Sequence, residues 1–260
     1  MDNQFLIILA VAGTAALASP AGGLIAILTR PSSLFLSVAV GFAGGILLGT
    51  FGFEMLPQAI SHASVAVAVA GFLVGLALTY GLDLFVNRGA MAGSAADQKR
   101  TVDAFHRRRP PLGGEVTVLA SATSAEELIE GVTIGVSAAI SPGAAFVVGL
   151  SILVDNVSEA LSIGELLRKE EGEKHYRREI MKWTGIIGLS LFVSAMAGWF
   201  LLRDLPQPVL GFLLATGAGG MFYLTVTDLV PEAQRHHYEG SGGLAIAAGF
   251  IVSLVLAQAG

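Results

Sequence analysis

The chain has 260 residues, 53% of them hydrophobic and 13% charged, against about 25% charged in soluble domains. That half load, with 33 glycines, points to a bilayer protein, and a net charge of −5 offers nothing to nucleic acid. With no cysteine, disulfides and thiolate metal ligands are excluded.

The N-terminal Met1-Asp2-Asn3-Gln4 lacks the basic region of a cleavable signal peptide. Spanning the hydrocarbon core takes about 20 apolar residues in a helix. Eight such segments follow in order, near Phe5–Thr29, Ser33–Ala59, Ser64–Val86, Val116–Ile140, Gly143–Leu167, Trp183–Leu202, Pro208–Val230 and Gly242–Gln258. They predict an all-α integral membrane protein in which residues 1–260 form one transmembrane domain of eight helices. Pro142 reads as a helix start, Pro57 and Pro231 as stops, and Pro20 as a kink or break in the first helix.

Two polar stretches separate the segments. The first, 87–115, holds Arg88, Lys99, Arg100, His106, Arg107, Arg108 and Arg109 among Gly-Ser-Ala and Pro-Pro runs that suit a loose loop. The second, Arg168 to Lys182, mixes bases with Glu170, Glu171, Glu173 and Glu179 and could carry a helix beyond the bilayer. With eight spans, both stretches and the turns holding Arg30 and Arg235 fall on one side. That side then has fourteen of the fifteen Lys and Arg, with Arg203 alone opposite. Basic loops stay in the cytoplasm. The asymmetry therefore predicts a cytoplasmic 87–115 loop between helices 3 and 4, and both termini outside the cytoplasm.

The fourth and fifth segments carry a repeated pattern. Glu126-Glu127-Leu128-Ile129-Glu130-Gly131-Val132-Thr133-Ile134-Gly135 matches Asp155-Asn156-Val157-Ser158-Glu159-Ala160-Leu161-Ser162-Ile163-Gly164. Residues four apart share a helix face, so Glu126 pairs with Glu130 and Asp155 with Glu159. Glu127 and Asn156, one residue on, turn about 100° away and reach a second position. Like charges at that spacing repel, and a bilayer makes burial costly. One such acid could stay protonated, or bond to Ser121, Thr123 or Ser124. Five, four of them at matching places, point instead to a divalent cation. Gly131, Gly135, Ala160 and Gly164 are expected to bring the two helices together. Glu54 and Asp228 lie near the ends of the second and seventh segments, as stations on an ion path or as solvated helix ends. Asp83 reads as interfacial, and His175, His236 and His237 as solvated cytoplasmic histidines.

These segments resemble the ZIP (Zrt/Irt-like) family of divalent metal transporters. Glu126, Glu127, Glu130, Gly131 and Gly135 take the places of the family's fourth-helix His-Asn-x-x-Glu-Gly and following Gly. Asp155, Asn156, Glu159 and Ala160 fall on its fifth-helix pattern, with Ser158 where the family has Pro. Glu54-Met55-Leu56-Pro57 stands at the second-helix His-Met/Leu-Leu-Pro, and the run from Gly217 to Tyr223 with Asp228 to Glu232 resembles the seventh helix. The departures are chemical. Glu54, Glu126 and Asp155 replace histidines, and Thr184 to Leu189 has no counterpart of the sixth-helix Glu-Pro.

The resemblance implies an eight-helix ZIP-like bundle in a plasma membrane, most naturally a prokaryote's. It implies passage of a divalent metal, zinc by family, toward the cytoplasm, through metal ligands Glu126, Glu127, Glu130, Asp155, Asn156 and Glu159, with Glu54 and Asp228 on the path. The nearly all-oxygen donor set admits manganese or another oxygen-preferring ion. The metal is a transported substrate and no enzyme is implied, since His-Glu-x-x-His and Gly-x-Gly-Asp signatures are missing. The expected partners are the cation and the bilayer, with a homodimer allowed and no nucleic acid. The alternative is a non-transporting relative that senses metal or assists assembly, suggested by the missing sixth-helix Glu.

Overall fold

Without water to satisfy them, backbone amides in hydrocarbon must bond within their own segment, and helices do this. The computed structural model describes residues 3–86, 115–171, 176–234 and 239–259, and these form eight helical rods with no strand among them. The rods are α1 (Asn3–Thr29), α2 (Ser33–His62), α3 (Val65–Val86), α4 (Glu115–Ile140), α5 (Pro142–Glu171), α6 (Tyr176–Leu202), α7 (Gln207–Ala233) and α8 (Glu239–Ala259). Seven of them are long and apolar enough to cross a membrane; the exception is α4, whose middle carries Glu126, Glu127 and Glu130. The 87–115 loop lies outside the described residues except for Glu115, as do His106, His175, His236 and His237.

Starts and stops follow local chemistry. Ser32, Ser64 and Ser141 cap α2, α3 and α5, each hydroxyl accepting from the amide three residues on. Pro142 opens α5 as expected. The second polar stretch is largely helical, since α5 runs to Glu171 and α6 begins at Tyr176.

Pro57 and Pro231, by contrast, do not stop their helices. Each follows a π-helical turn, Phe51–Met55 in α2 and Thr225–Leu229 in α7, closed by Leu56 N–H to the Phe51 carbonyl and Val230 N–H to the Thr225 carbonyl. The wider turn makes room for a ring that would strike the carbonyl four residues back in a regular helix. Pro20 likewise does not break α1, which runs on to Thr29.

The packing has a hidden order. The principal contacts are α1–α5, α1–α6, α2–α5, α2–α7, α2–α8, α3–α7, α4–α5, α4–α6 and α4–α7. Exchanging α1 with α6, α2 with α7, α3 with α8 and α4 with α5 maps this set onto itself, a pseudo-two-fold arrangement. The ten-residue repeat occupies one exchanged pair, α4 and α5. The two π turns occupy another, and both carry acid-x-x-Pro: Glu54 to Pro57 and Asp228 to Pro231.

Small residues set the close approaches, though not where the sequence pattern puts them. Gly131 and Gly135 face Leu191, Ser194, Ala195 and Trp199 of α6, while Ala160 meets Gly22 and Gly164 meets Ala26 of α1. They dock α4 on α6 and α5 on α1 rather than α4 on α5. The reason is helical phase: the small residues stand about 100° or more from Glu126 and Glu130 or from Asp155 and Glu159 on their own helix, and of the acids only Glu127, four residues before Gly131, shares a face with them.

A methyl group at position 135 would lie 2.6 Å from the Trp199 amide nitrogen and 2.7 Å from the Ala195 carbonyl, whereas one at Gly185 meets nothing within 4 Å. Gly135→Ala should therefore lower the melting temperature in detergent, by the about 1–3 kcal/mol that overpacking costs. Gly185→Ala should leave it equal or slightly raised, because alanine is the better helix former. Equal melting temperatures for the two variants would contradict this α4–α6 contact.

Candidate metal centre

The repeat places its acids on facing sides of two packed helices. One carboxylate oxygen from each of Glu126, Asp155 and Glu159 lies within 4.8 Å of the other two. A divalent ion binds carboxylate oxygen at about 2.0–2.2 Å, so modest side-chain rotation closes the three around one ion. Glu126 and Asp155 are buried and Glu159 is half-buried. Glu130, 2% exposed, and Glu127, fully buried, complete the set. Glu130 stands within electrostatic reach of Glu127, Asp155 and Glu159. Glu127 stands beside Asn156 and Asp155. No Lys, Arg or His is among the groups acting on these five acids within the described residues.

The oxygens are also short of donors. Glu126 Oε2, both oxygens of Glu127, Asp155 Oδ1 and Asn156 Oδ1 are buried with no hydrogen bond of acceptable geometry. Carboxylates accept and never donate when ionised, so while charged the acids cannot satisfy one another. Buried acceptors without donors are costly, and a bound cation would answer several of them at once.

Backbone contacts hold the frame. Asn156 Nδ2 donates to the Ala15 carbonyl of α1 (3.2 Å), and the amide oxygen is buried without a donor. Next to it, the Ala16 carbonyl loses its partner because Pro20 has no N–H, and Gly188 of α6 packs against that carbonyl. Ser194 Oγ of α6 reaches the Glu127 carbonyl (3.0 Å).

The other acids separate. Asp228, half-buried on the α7 π turn, stands close enough to act on Glu126, Asp155 and Glu159, so it belongs with the cluster. Glu54, 5% exposed on the α2 π turn, is not among the groups acting on the cluster, and its Oε1 accepts from Gln58 Nε2 (3.2 Å). Asp83, near the end of α3, is 2% exposed, and its Oδ2 accepts from the Tyr223 hydroxyl (3.0 Å), because α3 packs on α7 there. Sequence reasoning missed the approach of Asp228. The matching acid-x-x-Pro in Glu54 to Pro57 and Asp228 to Pro231 was the available signal, since it makes these two helices equivalent partners of the α4–α5 pair.

Fold and cluster together define an all-helical membrane protein built round buried acids. No protein-family model matches the chain. It is similar to the zinc transporter ZupT of Corynebacterium efficiens, 28% identical over 259 residues, 93% of this chain and 94% of that protein. It is also similar to the zinc transporters ZupT of Salmonella heidelberg and Salmonella paratyphi A, each 26% identical over 213 residues, 79% of this chain and 78% of the relative. Similarity of this extent, added to the helix motifs above, supports a member of the ZIP family.

A ligand that binds only the folded state stabilises it, by about 2.7 kcal/mol at a hundred times Kd. Zn²⁺ should therefore raise the melting temperature of the detergent-solubilised protein. Glu126→Ala, Asp155→Ala and Glu159→Ala should each lose most of that rise, and Glu54→Gln should keep it. A full rise in all four variants would show that the metal binds elsewhere.

Proposed function

We propose that the chain carries zinc across a prokaryotic plasma membrane toward the cytoplasm, and that the ion rests between α4 and α5. The observation that carries this is the meeting of Glu126, Asp155 and Glu159 with buried oxygens that lack donors. Glu127, Glu130 and Asn156 extend the same site toward a second position, and Asp228 adds charge from α7. Glu54 serves the path on the far side. In this reading α4 is the eighth span. Its three glutamates lower its hydropathy, but they face protein, and intramembrane acids face a bundle interior or a cation. Eight spans with the basic residues inside put both termini outside the cytoplasm and the 87–115 loop within it.

The relatives' names supply zinc. The donor set supplies a second expectation, because oxygen ligands suit Mn²⁺ better than imidazole does, although intrinsic affinity still rises from Mn²⁺ to Zn²⁺. Manganese should compete here more strongly than at a histidine-bearing site.

Uptake of Zn²⁺ and Mn²⁺ into proteoliposomes tests both statements. Glu159→Ala should slow uptake by about a hundredfold to a few thousandfold, since breaking one partner of a buried charge site costs about 3–5 kcal/mol. Glu126→His with Asp155→His should shift competition toward Zn²⁺. Wild-type uptake by Glu159→Ala would remove the cluster from the path, and an unchanged metal ranking in the double variant would show that donor hardness does not set selectivity.

A further inference from the structure

Glu54 and the carboxylate cluster lie on opposite sides of one buried layer. At its centre Thr50 of α2, Ser151 of α5 and Ser253 of α8 are all fully buried. Thr50 Oγ1 lies 2.6 Å from Ser151 Oγ and 3.1 Å from Ser253 Oγ. The neighbouring side chains at this level, Leu47, Phe51, Val148 and Ile152, are apolar and buried.

Register places the hydroxyls between the two acidic sites. Leu36 and Ala39 of α2 share a cluster with Val157 and Leu161 of α5, whereas Thr50 meets Ser151. The two helices therefore run antiparallel. Glu54 is one turn beyond Thr50, and Asp155 is one turn beyond Ser151 in the opposite direction. Each step is about 6 Å along the axis, so roughly 12 Å separates the two carboxylates, with the hydroxyls midway. An ion without ligands cannot cross such an apolar gap, because losing its hydration costs far more than thermal energy.

The hydroxyls are also arranged for a cation. Thr50 Oγ1 lies 2.9 Å from the Ile46 carbonyl and Ser151 Oγ 2.8 Å from the Val147 carbonyl, one turn back on its own helix. A hydroxyl has one proton and two lone pairs. When both donate backward, Thr50 and Ser151 turn lone pairs on each other. When one donates to the other, the pair closes as an ordinary hydrogen bond. The same three groups can thus seal the layer or present converging oxygens.

We propose that Thr50 and Ser151, with Ser253 behind them, form a hydroxyl transit site that passes a divalent cation between Glu54 and Asp155. This rests on the transport reading above. The test is Zn²⁺ uptake into proteoliposomes by the full chain, with Zn²⁺ binding and melting temperature measured in detergent. Replacing all three partners together leaves no buried hydroxyl orphaned. Thr50→Val/Ser151→Ala/Ser253→Ala should slow uptake about tenfold or more, the loss expected for a missing buried polar ligand, while cluster binding of Zn²⁺ is retained. Thr50→Ser in the wild-type background should keep most of the rate that Thr50→Val loses. Uptake unchanged in the triple variant overturns the transit site alone, and loss of binding or folding in step with uptake makes the three residues structural and overturns it too. A wild-type protein that takes up no Zn²⁺ overturns the transport reading and the transit site with it.

Discussion

A carboxylate taken out of water loses hydration worth several kcal/mol even after the protein relaxes, and this bundle gathers five of them with Asp228 close by. Nothing cationic in the described residues answers them, and several of their oxygens lack any donor. Left charged, the arrangement calls for a positive charge from outside, and in the transport reading that requirement explains most of what surrounds it. In the eight-span reading, α4 tolerates a hydropathy too low for an ordinary span because its acids face protein. The Ala15 carbonyl takes the Asn156 amide so that the amide oxygen is left for the site. Ser194 pins the backbone at Glu127.

The acids can be held close only if the helices around them are close, and here small residues decide. α4 is pressed onto α6 through Gly131 and Gly135, and α5 onto α1 through Gly164 and Ala160. In lipid, such contact replaces the hydrophobic effect as the source of association. The pseudo-two-fold exchange treats the two dockings as equivalents, with α2 and α7 crossing the α4–α5 pair from either side. Each of these brings a π turn, an acid and a proline. The two acids nevertheless end differently, Asp228 with the cluster and Glu54 across the hydroxyl layer.

Much of this was legible in the chain. Helix positions followed from apolar length, and the α4–α5 acids from a repeat that any aligned reading finds. The face carrying Gly131 and Gly135 was misread because spacing alone fixes which residues share a face, and says nothing of which neighbour meets it. Pro57 and Pro231 were read as stops because a π turn leaves no mark in composition; it is a tertiary accommodation of a ring. The partner of Asp83 was not legible, since Tyr223 lies 140 residues away in sequence. Thr50, Ser151 and Ser253 are ordinary hydroxyl residues within apolar runs, and only packing brings them together.

The central claim is that the metal sits among carboxylate and amide oxygens. X-ray absorption at the zinc edge, on tag-free protein loaded with zinc in detergent, reads those ligands directly. The account predicts a first shell of oxygen at about 2.0–2.2 Å, without the outer-shell scattering of imidazole rings. An imidazole signature would place the zinc on one of the five histidines, away from Glu126, Asp155 and Glu159, and would contradict it.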